Sequence, residues 1–231
     1  MPEWLTPLAW VAVIAAVVSA LVIVGDVLNG HRQHMWIMNV VWPLTALYAG
    51  PFAVLAYFKV GRRSTQAAMQ ARESADSGPG SDESSLARSA ALGATHCGAG
   101  CALGDLIAES FVVAVPITLF GRPIFGTWAL DFVLAFLLGI AFQYFTIAPM
   151  RNLGVRDGIV AALKADTASL TAWQIGMYGW MAIATFAIFG HEIDKSGPVF
   201  WFMMQIAMVA GFAVAWPVNA VLIRAGWKER M

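Results

Sequence analysis

Charge is what this sequence has least of. Only 12% of its 231 residues are Asp, Glu, Lys or Arg, about half of what a water-soluble domain carries, which excludes an ordinary soluble globule. Neither sign is in excess: fourteen Lys and Arg balance fourteen Asp and Glu. No basic surplus therefore argues for nucleic acid or another polyanion as a partner. Two cysteines are too few for a secreted disulfide scaffold. Enzyme signatures are missing too. There is no phosphate loop, no dinucleotide fingerprint and no nucleophile elbow, and the CxxxC spacing of Cys97 and Cys101 differs from the CxxC of dithiol oxidoreductases. The expectation is a protein that is not an enzyme.

What the chain has in abundance is apolar length. Hydrophobic residues make up 59% of it, and six apolar segments reach the roughly 20 residues a helix needs to cross a bilayer. They lie near Trp4–Val24, Met35–Lys59, Ala90–Phe120, Ile124–Met150, Ala172–Gly190 and Val199–Ile223. The fold class expected is all-α: a polytopic membrane helix bundle of about six transmembrane helices, residues 1–231 forming a single transmembrane domain. The first segment has an apolar run and a small-residue Val18-Ser19-Ala20 site like a signal peptide. It lacks the positive n-region, carrying Glu3 instead, and reads as a retained anchor.

Loop charges orient the six segments. Lys59, Arg62, Arg63, Arg72 and Arg88 fall between the second and third, Arg151, Arg156 and Lys164 between the fourth and fifth, and Arg224, Lys228 and Arg230 after the sixth. Only Arg32, Arg122 and Lys195 fall opposite. The positive-inside rule then puts both termini in the cytoplasm, in a bacterial inner membrane. Residues 61–89, with Ser77-Gly78-Pro79-Gly80-Ser81 at their centre, read as a flexible cytoplasmic loop. Ile159, Val160, Leu163 and Leu170 have the spacing of a short helix on the inner interface, with a solvated connector as the equal alternative.

The third segment carries the most informative polar pattern. Cys97, Cys101, Asp105 and Glu109 recur every four residues, a single drifting stripe on an α-helix. Intramembrane acids are costly and normally face a protein interior or a water-filled path. Thiols four apart are poorly placed for a disulfide, yet both lean toward one ion. With His96 beside them they suit Cu(I) first and Zn(II) second. The bland alternative is two apolar thiols and a capping histidine. Gly100 and Gly104 form a GxxxG pair and are read as helix-packing residues.

At the segment ends expected to lie outside, His31, His34 or Met35, and Met38 share a helical face, and His191 lies at the end of the fifth segment. Met203, Met204 and Met208 follow on the sixth. Histidine and methionine are the usual extracytoplasmic copper ligands, and this group is expected to capture an ion. Asp131 on the fourth segment is a further intramembrane acid, a path partner or a hydrogen-bonded packing residue. Asn39, Gln143 and Asn219 read as interhelical hydrogen-bond residues. Asp166, Thr167 and Ser169 read as capping residues before the fifth helix. One intramembrane histidine is too few for bis-histidine haem.

The stretches Trp42–Arg62 (WPLTALYAGPFAVLAYFKVGR), Thr95–Asp105 (THCGAGCALGD), Lys164–Met177 (KADTASLTAWQIGM) and Met203–Met231 (MMQIAM, PVNAVLIRAGWKERM) resemble those of a bacterial family of small integral membrane proteins assigned to a domain of unknown function. The His-Cys-x-x-x-Cys-x-x-x-Asp segment is the most specific part of the likeness. The resemblance implies a prokaryotic multi-span protein of a kind sometimes found associated with copper proteins. Together these readings lead to an expectation: a membrane protein that binds or translocates a soft metal ion, most of all Cu(I). His31, His34, Met35, Met38 and His191 would form the outer site, Asp105 and Glu109 the mid-membrane stripe, and His96, Cys97 and Cys101 the inner site. Two other classes stay open. One is a non-catalytic accessory or assembly subunit, or a homo-oligomer, docking through the GxxxG face. The other is a proton-coupled small-solute transporter with Asp105, Glu109 and Asp131 as relay groups.

Overall fold

Long apolar runs satisfy their backbone hydrogen bonds internally only by winding into helices, and this chain does so along nearly its whole length. The computed structural model describes residues 2–74 and 82–228, with side chains except at 71–74, 82–85 and 150. Its helices are α1 (Leu5–Leu28), α2 (Met38–Ala49), α3 (Pro51–Lys59), α4 (Gln66–Ser74), α5 (Asp82–Ala114), α6 (Pro123–Arg151), α7 (Val155–Ala182) and α8 (Pro198–Arg224). A π-helical stretch, Ile183–Phe189, prolongs α7. No strand occurs among the described residues. Among the described residues five helices, α1, α5, α6, α7 with its π-helical end, and α8, are long and apolar enough to cross a membrane.

The second apolar segment is different. It breaks at Gly50, whose backbone sits at φ 55° and ψ −134°, and Pro51 starts the next helix. The two pieces have 12 and 9 residues, about 18 and 13 Å long, while a hydrocarbon core is about 30 Å thick. They fold back on each other: the ring of Trp42, early in α2, meets that of Tyr57, late in α3, edge-on at 5.6 Å. The flanking chains are stitched together. His34 N–H donates to Ser64 O at 2.9 Å, Gln66 N–H to Arg32 O at 3.0 Å, and Gln33 and Thr65 form a bridge. Asp26, at the end of α1, accepts from Tyr57 Oη at 2.8 Å and from Arg62 Nε at 3.1 Å. The segment Met35–Lys59 therefore enters and leaves at the same end of the bundle.

Where about six crossings with both termini on one side were expected, five helices among the described residues run the length of the bundle and α2–α3 forms a hairpin between them. Pro2 and Trp4 share a cavity wall with Phe189 and His191, whereas Lys228 lies against Asp166 in the first half of α7, so the termini are at opposite ends. Hydropathy reports apolar length but not direction, and Gly50-Pro51 supplies the reversal. Arg32 consequently joins Lys59, Arg62, Arg63, Arg88, Arg151, Arg156 and Arg224 at one end, hereafter the basic end, leaving Arg122 and Lys195 at the far end.

Within residues 61–89, where they are described, Gly61–Ser64 is a 3₁₀ turn, and α4 and the first turns of α5 follow. The Ser77–Ser81 run lies outside the described residues. The short interfacial helix is simply the first half of the continuous α7, so Asp166, Thr167 and Ser169 are interior helix residues and not caps.

Helix α5 is the hub, packing on α2, α6, α7 and α8. Small residues make this possible. A Cβ on Gly100 would come within 2.9 Å of the Gly139 backbone, and one on Gly104 within 2.8 Å of the Ala135 backbone. The GxxxG face is thus filled by α6 of the same chain and does not stand open for a partner helix. On the other side, Gly98 and Gly211 clasp the fully buried Trp173 ring, which a Cβ would meet at 2.3 and 2.8 Å.

Candidate functional site

The four-residue stripe on α5 meets different neighbours as it drifts around the helix. Nearest the basic end, Cys97 is fully buried and faces α7 and α8. Its Sγ lies 2.9 Å from Asp166 Oδ1 and 2.9 Å from Ser169 Oγ. Lys228 Nζ reaches the same carboxylate oxygen at 3.1 Å and Cys97 Sγ at 3.6 Å. Asn219 Nδ2 donates to Ser169 Oγ at 2.7 Å, closing the group. Lys228 gets there because the chain turns back after α8, Trp227 and Lys228 N–H both donating to Leu222 O. Gly93 leaves room for it: a Cβ there would sit 3.0 Å from Asn219 Oδ1 and 3.3 Å from Lys228 Cε. The Lys228–Asp166 pair is shielded from solvent, the side chains being 0% and 1% exposed.

Toward the far end the stripe becomes acidic. Glu109 pairs with Lys195 at 2.6 Å, and Lys195 also donates to Thr127 Oγ1 at 2.8 Å. Asp131 on α6 lies close enough to feel the charges of Asp105, Glu109 and Lys195. Asp105 and Asp131 are each 1% exposed, and none of their four carboxylate oxygens has a hydrogen-bond partner among the described residues. Cys101 stands between the two clusters, within electrostatic reach of Asp105, Asp131, Cys97 and Asp166. A small cavity of about 20 Å³ touches Glu109, Thr185, Glu192 and Lys195 at the far end, enough for about one water. In the adjoining loop, side-chain and backbone hydrogen bonds from Ser196 hold Asp194 below the usual carboxylate range.

The remaining expected ligands are dispersed. His96 is buried but turns toward α6, its Nδ1 lying 3.5 Å from Thr146 Oγ1, so it is not part of the Cys97 group. His31, His34, Met35 and Met38 belong to the basic end; His31 Nδ1 is 3.3 Å from Asp26 Oδ1. His191 is exposed at the far end, its Nδ1 beside Glu192 O at 2.9 Å. The outer His/Met cluster therefore does not assemble, because the re-entrant hairpin carries four of its five members to the other end. Met203, Met204 and Met208 are buried on α8. Among the described residues no three His, Cys, Asp or Glu side chains come together closely enough to hold a metal ion.

Sequence reasoning missed Asp166, Ser169, Asn219, Lys228, Thr127 and Lys195 as site residues. A signal existed for the first two. Asp166, Ser169, Leu170 and Trp173 fall on one helical face, and all four are buried. Lys228 had none, because a lysine four residues beyond a helix reads as a topology marker.

Fold and site define a class: a multi-pass helical membrane protein whose interior holds two linked clusters of ionisable side chains. Within that class the chain belongs to the family described as a domain of unknown function, DUF4396, whose model matches residues 87–228. The match runs from within α5 through α8, takes in every member of both clusters, and ends at Lys228. No curated protein and no solved structure matches the chain.

Proposed function

We propose that this protein is a proton-coupled transporter, with Asp105, Glu109 and Asp131 as its exchanging groups. One observation carries the reading: the four partnerless, buried oxygens of Asp105 and Asp131. Among the described residues Lys195 is the cation paired with Glu109 and felt by Asp131, so two negative charges of the three-acid cluster would be left over if all three were ionised. An uncompensated buried charge costs several kcal/mol, roughly 3–5 when a pair is broken. Each of these two acids therefore holds a proton or a transported cation, and exchange of one for the other is the coupling step.

The rest of the stripe supplies a route. Glu109 and Lys195, at the small far-end cavity, would take protons from that side. Asp105 and Asp131 hold them mid-bundle, and Cys101 leads to the Cys97–Asp166–Lys228 group at the basic end. By the positive-inside rule the basic end faces the cytoplasm, and the proposed location is a bacterial inner membrane. The test is proton movement into proteoliposomes under an imposed pH gradient, with Na⁺, K⁺ or an organic ammonium ion supplied on the opposite side as the exchanging cation. The expectation is wild-type flux reduced at least tenfold in Asp105→Asn; a flux no greater than that of protein-free liposomes would end the reading.

A second reading, Cu(I) handling, draws on Cys97 and Cys101, which are free, fully buried and four apart on α5. Thiolates favour that ion. Copper bound stoichiometrically by wild type and lost in Cys97→Ser/Cys101→Ser would support it. Equal, substoichiometric copper in both would dismiss it.

A further inference from the structure

Asp105 also borders a cavity, and the walls of that cavity suggest what is carried. The space, about 240 Å³, lies between α1, α2, α5 and α8. It has the volume of roughly eight water molecules. Besides Asp105 its walls include the aromatic rings of Tyr48 and Trp201, the thioethers of Met204 and Met208, and Gln205; the other lining residues are aliphatic. Gln205 Nε2 is committed to Leu47 O at 3.0 Å, so its amide oxygen is the acceptor left to a ligand. The lining thus combines one 1%-exposed carboxylate without a partner, an amide acceptor, aromatic faces and an otherwise oily wall.

Those features match one ligand chemistry. A small hard metal ion requires about six oxygen ligands, which this wall does not offer. An anion would be repelled by Asp105. A neutral apolar molecule would fill the oily wall but leave the Asp105 carboxyl group without a hydrogen-bond partner. A protonated amine on a small hydrophobic body answers each element: its N–H groups donate to Asp105 and Gln205, its charge faces the aromatic rings, and its body fills the apolar remainder. We infer that the cavity beside Asp105 binds a small lipophilic ammonium ion. This rests on the proton-coupled reading, in which the ammonium and a proton compete for Asp105.

Phenethylammonium is a suitable probe, with neutral 2-phenylethanol as its control and Ag(I) as the soft-metal competitor. Binding to the purified full-length protein is followed by calorimetry. The expected result is saturable binding of phenethylammonium that weakens at least tenfold in the near-isosteric Asp105→Asn and in the cavity-filling Ala102→Leu, while 2-phenylethanol binds wild type and Asp105→Asn alike. Equal phenethylammonium affinity in wild type and Asp105→Asn overturns the inference. So does saturable Ag(I) binding that Met204→Leu/Met208→Leu abolishes, in the absence of ammonium binding. Proton flux without ammonium binding removes this inference alone, and ammonium binding without proton flux removes the transporter reading instead.

Discussion

Lys228 holds the carboxy-terminal segment inside the bundle, and cutting it free has a calculable cost. In Lys228→Met the ammonium 3.1 Å from Asp166 Oδ1 disappears, while the carboxylate, 1% exposed, stays buried. Removing one partner of such a pair costs about 3–5 kcal/mol, whereas replacing both with apolar side chains is often neutral or favourable. Cys97 Sγ and its hydrogen bond to Asp166 at 2.9 Å remain, which places the expected loss near the lower end. On the scale of soluble domains of 150–250 residues, 3 kcal/mol corresponds to roughly 6–12 °C in Tm. The assay is thermal unfolding in one detergent for wild type, Lys228→Met, Asp166→Leu and the double variant. Both single variants should fall by that amount, and the double variant should return most of the way to wild type. If Lys228→Met melts at the wild-type temperature, or if the two losses simply add, the pair is not buried as described.

Other consequences follow from the packing. Gly100→Leu should cost more than Gly100→Ala in Tm and in folded yield, because any side chain meets the Gly139 backbone at 2.9 Å and overpacking costs about 1–3 kcal/mol or more. Gly50→Ala should lose about 1–3 kcal/mol by the same measure, since its positive φ is strained for an L side chain even though a Cβ there meets nothing within 4 Å. In a Cys97→Ser/Cys101→Ser background, single cysteines at Asn29 and Ser64 should react with an impermeant thiol reagent from the same face of the membrane, and one at Ser196 from the opposite face. Labelling of Asn29 and Ser64 from opposite faces would restore a crossing second segment.

The helical membrane class was legible because it depends on apolar length, which composition and hydropathy report directly. The polar stripe was legible for a similar reason: Cys97, Cys101, Asp105 and Glu109 keep a four-residue spacing that any helix turns into one face. Direction was not legible. Met35–Lys59 is apolar enough for a crossing, and only the backbone reversal at Gly50 and the stitching of Arg32–His34 to Ser64–Gln66 show that it returns. That one reversal scattered the expected outer histidines and methionines. The basic count does not distinguish the two arrangements, because moving Arg32 to the basic end leaves the charge asymmetry intact. Partners distant in sequence were illegible throughout. Lys228 meets Asp166 across 62 residues and Lys195 meets Glu109 across 86, through contacts that only tertiary packing creates.

Asp131 separates the central claim from everything else at the site, because it belongs to the acid cluster but does not line the cavity beside Asp105. The most direct measurement is therefore proton flux into proteoliposomes containing Asp131→Asn, compared with wild type at equal amounts of folded protein and with the same exchanging cations supplied. Exchange through the buried acids predicts at least a tenfold loss of flux with phenethylammonium binding retained. Wild-type flux in Asp131→Asn would contradict it.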